Sequence, residues 1–330
     1  MMMKRFSLLA ASLCLVTAGY AQSGDRYALL IGGLGGSAEY TERFQQYLFD
    51  TRKALIENHG FAGDHVVVLG ETKLQNLDFV DGVSLEETIR AEFGKLAGRV
   101  TAEDHVYVIL YGHGGFDGTE ARFNIPRADL TQGQYAELVN GLDAGRVIFI
   151  NTASASAPFV AALSGAGRIV ITATRVGSQK NETFFPGFLV DGLTSPAADR
   201  DKDGSLSVLE WYTYAAEKTD QWFTDNGNIP TENALIDDNG DGKGTRLNEL
   251  ESGADGNLAG LTYVRRRDAM LAASVGTVSA SWLREKEQIE QAIADVKSRK
   301  SGMETEVYYA ELETLFVRLA RGNEAAEQGQ

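Results

Sequence analysis

Two short segments rich in glycine and alanine each follow an apolar run that is typical of a buried strand. The first reads Leu-Tyr-Gly-His-Gly-Gly-Phe-Asp-Gly over residues 110–118, so glycines flank His113 and give its imidazole access to a ligand. The second, residues 150–157, passes directly from an apolar run into small and hydroxyl-bearing residues. Open α/β sheets bind ligands at the carboxyl ends of their strands. We therefore expect both segments to border one crevice, and His113 to have a role there.

An acidic loop later in the chain has oxygen-bearing residues at alternate positions. Residues 199–210 read Asp-Arg-Asp-Lys-Asp-Gly-Ser-Leu-Ser-Val-Leu-Glu, which matches the EF-hand calcium loop at each diagnostic position. In that loop three side-chain carboxylates, one main-chain carbonyl and a bidentate glutamate surround a single Ca²⁺, and a glycine at the sixth position permits the sharp bend. The predicted calcium ligands are Asp199, Asp201, Asp203, Ser205 and Glu210.

A second loop, residues 237–248, repeats the beginning of this pattern but not its end. It opens with D-x-N-x-D-G, and then Gly244 replaces the aliphatic residue and Asn248 stands where the bidentate glutamate belongs. Residues of these types also favour simple turns, so a turn without an ion is the alternative. If an ion binds, it binds more weakly or takes further ligands from elsewhere in the chain. The candidate ligands are Asp237, Asn239 and Asp241.

Alternating strands and helices must position these segments. Continuous apolar runs at 27–31, 65–69, 106–110, 147–150 and 168–172 predict parallel strands buried on both faces. Helical spacing up to about His59 and over 85–96 separates the first three runs, which predicts right-handed βαβ units. The glycines at 32–36 fit neither a phosphate loop nor a dinucleotide fingerprint, and indicate a tight strand-to-helix turn. The fold class is therefore α/β, with a mostly parallel sheet flanked by helices.

The two ends of the chain differ in character from this central part. Residues 1–21 combine a short basic start, an apolar run too short to span a bilayer and a small-residue cleavage site, which predicts a signal peptide. Residues 22–270 would form the α/β domain. In the tail, 271–330, apolar residues at three- and four-residue spacing over 282–296 and 307–319, with a turn at 300–302, predict a helical hairpin. Self-packing is the default for this hairpin; packing on the domain or on a partner is the alternative.

Composition restricts the location and the partners of the mature protein. The chain has one cysteine, Cys14, inside the predicted signal peptide, so the mature protein would have no disulfide and no thiol nucleophile. Removing Lys4 and Arg5 changes the formal charge from −15 to −17. Such an acidic protein is poorly suited to nucleic acid or anionic membranes, and no later stretch is apolar enough to span a membrane. We expect an extracytoplasmic protein, periplasmic or secreted.

The two strand ends together resemble the legumain-like and caspase-like cysteine peptidases. In that family one strand ends in His-Gly and another in Ala-Cys-x-Ser-Gly, and residues 168–175 and 181–183 are also similar to bacterial legumain-like domains. The resemblance covers about residues 26–250 and implies a caspase-like sheet. It places His113 at the dyad histidine and Gly114 at the oxyanion position, while Ser154 stands where the nucleophilic cysteine belongs and Ala157 replaces a glycine. A shift of one residue would place Ala153 there instead.

This substitution determines the predicted function. A serine hydroxyl is far less acidic than a thiol and needs a well-placed base, usually with a third group to orient it. Asp117 is the acid nearest His113 in the sequence. We therefore expect an exported, calcium-binding pseudo-peptidase that binds a peptide or protein ligand in the strand-end crevice. The alternative is a serine-type hydrolase that uses Ser154 and His113.

Overall fold

A computed structural model describes residues 24–72, 77–250, 255–265 and 303–327, together with several helical positions between 282 and 296. The predicted signal peptide and the predicted turn at 300–302 lie outside these residues. The strands are β1 (Arg26–Gly32), β2 (Val66–Gly70), β3 (Gly82–Val83), β4 (His105–Tyr111), β5 (Gly114–Phe116), β6 (Ala121–Phe123), β7 (Leu130–Thr131), β8 (Arg146–Asn151), β9 (Arg168–Thr172), β10 (Leu206–Ser207), β11 (Leu235–Asp237) and β12 (Tyr263–Arg265).

Most of the helices lie between successive strands in the chain. They are α1 (Ala38–Glu57), α2 (Glu86–Ala97), α3 (Gln132–Asn140), α4 (Pro158–Leu163), α5 (Phe185–Gly192), α6 (Val208–Asp225), α7 (Asn257–Leu261) and α8 (Thr305–Glu327), with 3₁₀ turns at Gly63–His65 and Leu247–Glu249. None of the described helices combines the length and the apolar character that a membrane crossing requires.

Seven strands form the main sheet in the order β11-β9-β8-β4-β1-β2-β3. Every neighbouring pair is parallel except β11 and β9, which are antiparallel. The predicted α/β class and the mostly parallel sheet are therefore confirmed. The short antiparallel edge strand β11 was not predicted, because three residues carry too little periodicity to identify a strand.

Apolar side chains cover both faces of this sheet. Leu30 and Ile109 point into one cluster, which also contains side chains of α1, α5 and α6. Leu29 and Val108 point into the other cluster, with side chains of α2, α3 and α4. Alternate side chains of a strand point to opposite faces, so a strand that is covered on both sides needs an apolar residue at nearly every position. This requirement explains the continuous apolar runs in the sequence.

Two smaller sheets and a long helix complete the described structure. The antiparallel sheet β5-β6-β7 begins one residue after His113, and β10 pairs with β12. In the tail, Ile289 and Ile293 share a buried cluster with Tyr308 and Leu312 of α8. Arg318 also donates to Glu285 at 2.8 Å. The tail therefore carries an apolar cluster of its own.

Candidate functional site

Neighbouring parallel strands deliver His113 and Ser154 to the same edge of the sheet. The register of β4 and β8 pairs Leu110 with Asn151, so the two strands end side by side. The chain then turns into Gly112-His113-Gly114 after β4 and into Ala153-Ser154 after β8. The glycine-rich turn after β1 lies at the same edge, since the N–H of Gly33 donates to the carbonyl of Tyr111 at 2.8 Å.

The hydroxyl of Ser154 is bound to the main chain of the histidine turn. Its Oγ donates to the carbonyl of Gly114 at 3.0 Å and accepts the N–H of the same residue at 3.3 Å. Ser154 is only 5 % exposed. Position 114 requires glycine, because a Cβ there would overlap with the carbonyl oxygen of Ser154. Gly114, predicted as an oxyanion donor, thus binds the candidate nucleophile itself.

His113 is half-buried against α1. Its ring makes edge-to-face contacts with Tyr40 and Phe44, at 4.6 and 5.1 Å between ring centroids. Burial lowers the pKa of His113 below its usual range, and the carboxylate of Glu182 and a hydrogen bond with the main chain of Gly35 offset only part of that shift. Burial therefore favours the neutral imidazole, whose ring lies against two aromatic side chains of α1.

Glu182 is the acid that lies beside His113. It accepts the hydroxyl proton of Tyr40 at 2.9 Å and pairs with the guanidinium of Arg43. Asp117 is bound elsewhere, because its carboxylate accepts two main-chain N–H groups of the β5–β6 turn and a hydrogen bond from Arg122 at 2.6 Å. Proximity in sequence thus suggested Asp117 as the acid beside His113. The structure places Glu182 there instead, through its contacts with Tyr40 and Arg43 of α1.

The residue after Ser154 has an unusual backbone conformation. Ala155 has a φ of 54° and is 1 % exposed, and its N–H donates to the carbonyl of Gln179 at 2.7 Å. Non-glycine residues in the left-handed region are uncommon and cluster at functional sites. The loop that contains Gln179 is fixed in turn, since the Gln179 side chain donates to Asn233 at 3.0 Å. This loop therefore closes one side of the Ser154 segment.

Three aspartates of the first acidic loop converge on one point. Asp199, Asp201 and Asp203 each place a carboxylate oxygen within 4.8 Å of the others, so this exposed triad could hold a metal ion. The backbone curls through Lys202 and Gly204, whose φ angles are 60° and 84°. Oδ1 of Asp199 is buried and has no hydrogen-bond partner among the described residues. The convergence and this open oxygen both fit a bound cation.

Of the two remaining predicted ligands, Ser205 would contribute its main-chain carbonyl, whereas the carboxylate of Glu210 has other partners in this structure. The N–H of Ser205 donates to Asp203 at 2.6 Å. Glu210 forms a capping box with Ser207, whose N–H and hydroxyl donate to Oε2 at 2.9 and 2.8 Å. Glu210 thus fixes the start of α6, and it must release at least part of this cap in order to bind an ion with both oxygens.

The second acidic loop follows the edge strand β11. Asp237 is the last residue of that strand and is buried, whereas Asn239 and Asp241 lie in the turn and accept main-chain N–H groups at 2.7 and 2.8 Å. Asp255 had no role in the prediction, yet it accepts the N–H groups of Asp238 and Asn239 at 3.0 and 3.3 Å. It lies outside the motif, so the sequence pattern gave no signal for it.

The strand ends bring together a histidine, a serine hydroxyl and a turn with a left-handed alanine, and the hydroxyl donates its hydrogen bond to a carbonyl. The acidic loops lie on other elements and offer only oxygen ligands, which suit hard cations. No protein-family model matches the chain, and no curated protein is significantly similar to it.

Proposed function

We propose that this chain is an exported pseudo-peptidase of the caspase-like, legumain-like type, which binds an extended peptide at the strand-end crevice and does not cleave it. The observation that carries the proposal is the reciprocal hydrogen bonding between Ser154 and the main chain of Gly114. A nucleophilic serine must give its proton to a base. Here the hydroxyl donates its hydrogen bond to the carbonyl of Gly114, which cannot take the proton as a base at neutral pH.

The surroundings of His113 support the absence of catalysis. A general base needs a hydrogen bond to its nucleophile and a third group that orients it. Among the described residues, the hydrogen bonds of Ser154 go to Gly114, and the nearest acid, Glu182, is already paired with Tyr40 and Arg43. The oxyanion position is also occupied, because the N–H of Gly114 is given to Ser154 and that of Ala155 to Gln179.

The edge of β5 supports an extended peptide as the ligand. The main-chain N–H of Asn124 donates to the carbonyl of His113, and that of Asp117 donates to the carbonyl of Glu120. The hydrogen-bonded pairs of this hairpin therefore involve residues 113, 115 and 117. In an antiparallel ladder the alternate residues direct their N–H and C=O groups away from the partner strand. Phe116 is such a residue, and its main chain therefore faces the same side as Gly114. Because Gly114 is already bound to Ser154 on this side, an added peptide strand would pair with the main-chain groups of Phe116.

Calcium is the cation that we assign to the 199–210 loop. Its donors are carboxylate and main-chain oxygens with EF-hand spacing, and the Asp199 triad already has its oxygens close together. Ca²⁺ would hold together the turn between α5 and α6, because the loop connects these two packed helices. In this proposal the ion stabilises the scaffold, and the crevice binds the ligand.

One observation favours a second function, serine-type hydrolysis. His113 and Ser154 lie on neighbouring strand ends, and the strained Ala155 directly follows the hydroxyl. A peptide that displaced the Gln179 carbonyl from the N–H of Ala155 would free one donor for an oxyanion. Rotation of the Ser154 hydroxyl away from Gly114 would also be required.

Binding and cleavage can be measured in one experiment. The purified chain is incubated with an arrayed octapeptide library in calcium buffer, and both retained peptides and hydrolysis products are measured. We expect retention without cleavage. Phe116→Pro should reduce retention because proline removes the outward N–H, and proline is tolerated at edge positions of this kind. Phe116→Ala is the matched control, since it loses the ring but keeps the N–H.

Two outcomes would contradict the proposal in different ways. Cleavage that disappears in both Ser154→Ala and His113→Ala would establish the serine-type hydrolase instead. Equal retention by wild type, Phe116→Pro and Phe116→Ala would reject the β5 edge as the binding surface.

A further inference from the structure

Three buried carboxylates surround the start of the second acidic loop, and one of them differs from the other two. Asp238 and Asp255 are each 6 % exposed, and Asp237 is 1 % exposed. A buried carboxylate is costly unless hydrogen bonds, a proton or a cation compensate its charge. The partners of each oxygen therefore indicate which acid lacks compensation.

Asp238 and Asp255 are compensated by the chain itself. The carboxylate of Asp238 accepts the N–H groups of Gly256 and Ala259 at 2.8 and 2.7 Å, at the start of α7. Asp255 accepts two N–H groups of the loop with one oxygen and the hydroxyl proton of Thr245 with the other. Together these two acids clamp the loop to the segment that begins at residue 255.

Asp237 is compensated less completely than these two acids. Its Oδ1 accepts the N–H of Gly240 at 3.1 Å. Its Oδ2 is buried and accepts no hydrogen bond of normal geometry from any residue that the structure describes. The hydroxyl of Ser164 lies beside this carboxylate and accepts the N–H of Gly242 at 2.9 Å. An oxygen with free lone pairs thus remains buried at the first position of a D-x-N-x-D-G loop.

The loop that follows Asp237 curls tightly. Gly240 and Gly242 have φ angles of 78° and 76°, which let the chain curl. Asn239 and Asp241 each use one side-chain oxygen for a hydrogen bond inside the turn. A single such bond leaves further lone pairs on each of these oxygen-bearing groups.

From these observations we propose that the 237–248 loop is a second divalent-cation site, with Oδ2 of Asp237 as its buried ligand and with Asn239 and Asp241 contributing oxygens. Oxygen-only donors favour Ca²⁺. Asp238 and Asp255 are positioning residues, since their oxygens hold the loop backbone. The loop departs from the EF-hand at its end, where Glu249 pairs with Arg246. Fewer protein ligands predict weaker binding than at the first loop.

The cation-binding stoichiometry of the full chain tests this proposal. Calcium is titrated by calorimetry, up to millimolar concentration, into wild type, Asp237→Asn and the first-loop double variant Asp199→Asn/Glu210→Gln. We expect two ions per chain for wild type, one for either variant and none for the combination. Glutamine at position 210 can keep the helix cap, so the double variant should still fold.

A melting experiment separates an ion site from a merely structural acid. In chelator, Asp237→Asn should melt at or above the temperature of wild type, because a buried and only partly compensated charge has been removed. In saturating calcium the order should reverse. A variant that is destabilised equally in both buffers would overturn the proposal, as would two ions bound by Asp237→Asn or a single ion bound by wild type. None of these results depends on peptide binding in the crevice.

Discussion

The side chain of Ser154 donates to the carbonyl of Gly114 and accepts the N–H of the same residue, which joins the end of β8 to the start of β5. Ser154→Ala would leave both main-chain groups without this partner inside the protein. We expect a loss of about 1–3 kcal/mol in the free energy of unfolding, measured by urea denaturation. An active-site serine, by contrast, is often removed without loss of stability. A variant as stable as wild type would therefore count against a structural role for the hydroxyl.

Alanine substitutions at Gly114 and Gly115 provide a test and a matched control for the contact between the histidine turn and the Ser154 segment. A Cβ at position 114 would overlap with the carbonyl oxygen of Ser154, whereas a Cβ at position 115 would meet no atom within 4 Å. Gly114→Ala should therefore destabilise the protein by about 2 kcal/mol or more, and Gly115→Ala should change stability by less than about 1 kcal/mol. Thermal unfolding of the two variants checks this. Equal melting temperatures would mean that the histidine turn does not pack tightly on the Ser154 segment.

Calcium should stabilise the protein through the 199–210 loop. Binding to the folded state alone adds about 2.7 kcal/mol at an ion concentration one hundred times Kd. The melting temperature should rise on adding calcium and fall in chelator. Asp199→Asn with Glu210→Gln should remove the contribution of this loop and leave only that of the second loop. Identical melting of wild type in both buffers would exclude a stabilising ion.

Glu232 should make stability depend on pH. It is 1 % exposed and accepts the N–H groups of Phe184 and Phe185 at 2.6 and 3.3 Å. Burial raises the pKa of Glu232 from 4.5 to about 8, despite these two hydrogen bonds. A raised folded-state pKa favours the protonated form, so this contribution to stability is fully present below pH 4.5 and is lost as the pH rises towards 8.

The matched variant for this effect is Glu232→Gln, which does not titrate. Wild type should lose on the order of 4 kcal/mol relative to Glu232→Gln between pH 4.5 and pH 8. Urea unfolding at several pH values measures this difference, and the titration of other groups cancels in the comparison. A constant difference across the range would show that Glu232 keeps an ordinary pKa in the folded protein.

In the tail, the sign of the stability change caused by a Gly→Ala substitution tests whether Trp282 packs on α8. In an exposed helix Gly→Ala stabilises by about 1 kcal/mol. At Gly322, in α8, the added Cβ would overlap with the ring of Trp282. We therefore expect Gly322→Ala to lower the melting temperature of the tail, monitored by circular dichroism. Stabilisation by Gly322→Ala would mean that Trp282 does not pack on α8.

The sequence by itself determined the α/β class, the five principal strands and the acidic loop at 199–210. These features depend on local periodicity or on fixed spacing, because a strand covered on both faces must be apolar throughout and a calcium loop takes its ligands from one short segment. The sequence also placed His113 and the Ser154 segment at strand ends, and the pairing of β4 with β8 brings those ends together.

Only the tertiary structure decided the partners of these residues. It bound Ser154 to Gly114, brought Glu182 rather than Asp117 to His113, and brought Asp255 to the second acidic loop. Each of these contacts joins residues that are distant in the chain, and such contacts depend on the register of strands and the packing of helices. A hydrogen bond between distant segments produces no periodic pattern in a single sequence. The motifs could therefore be found from the sequence, but the hydrogen-bond partners of their residues could not.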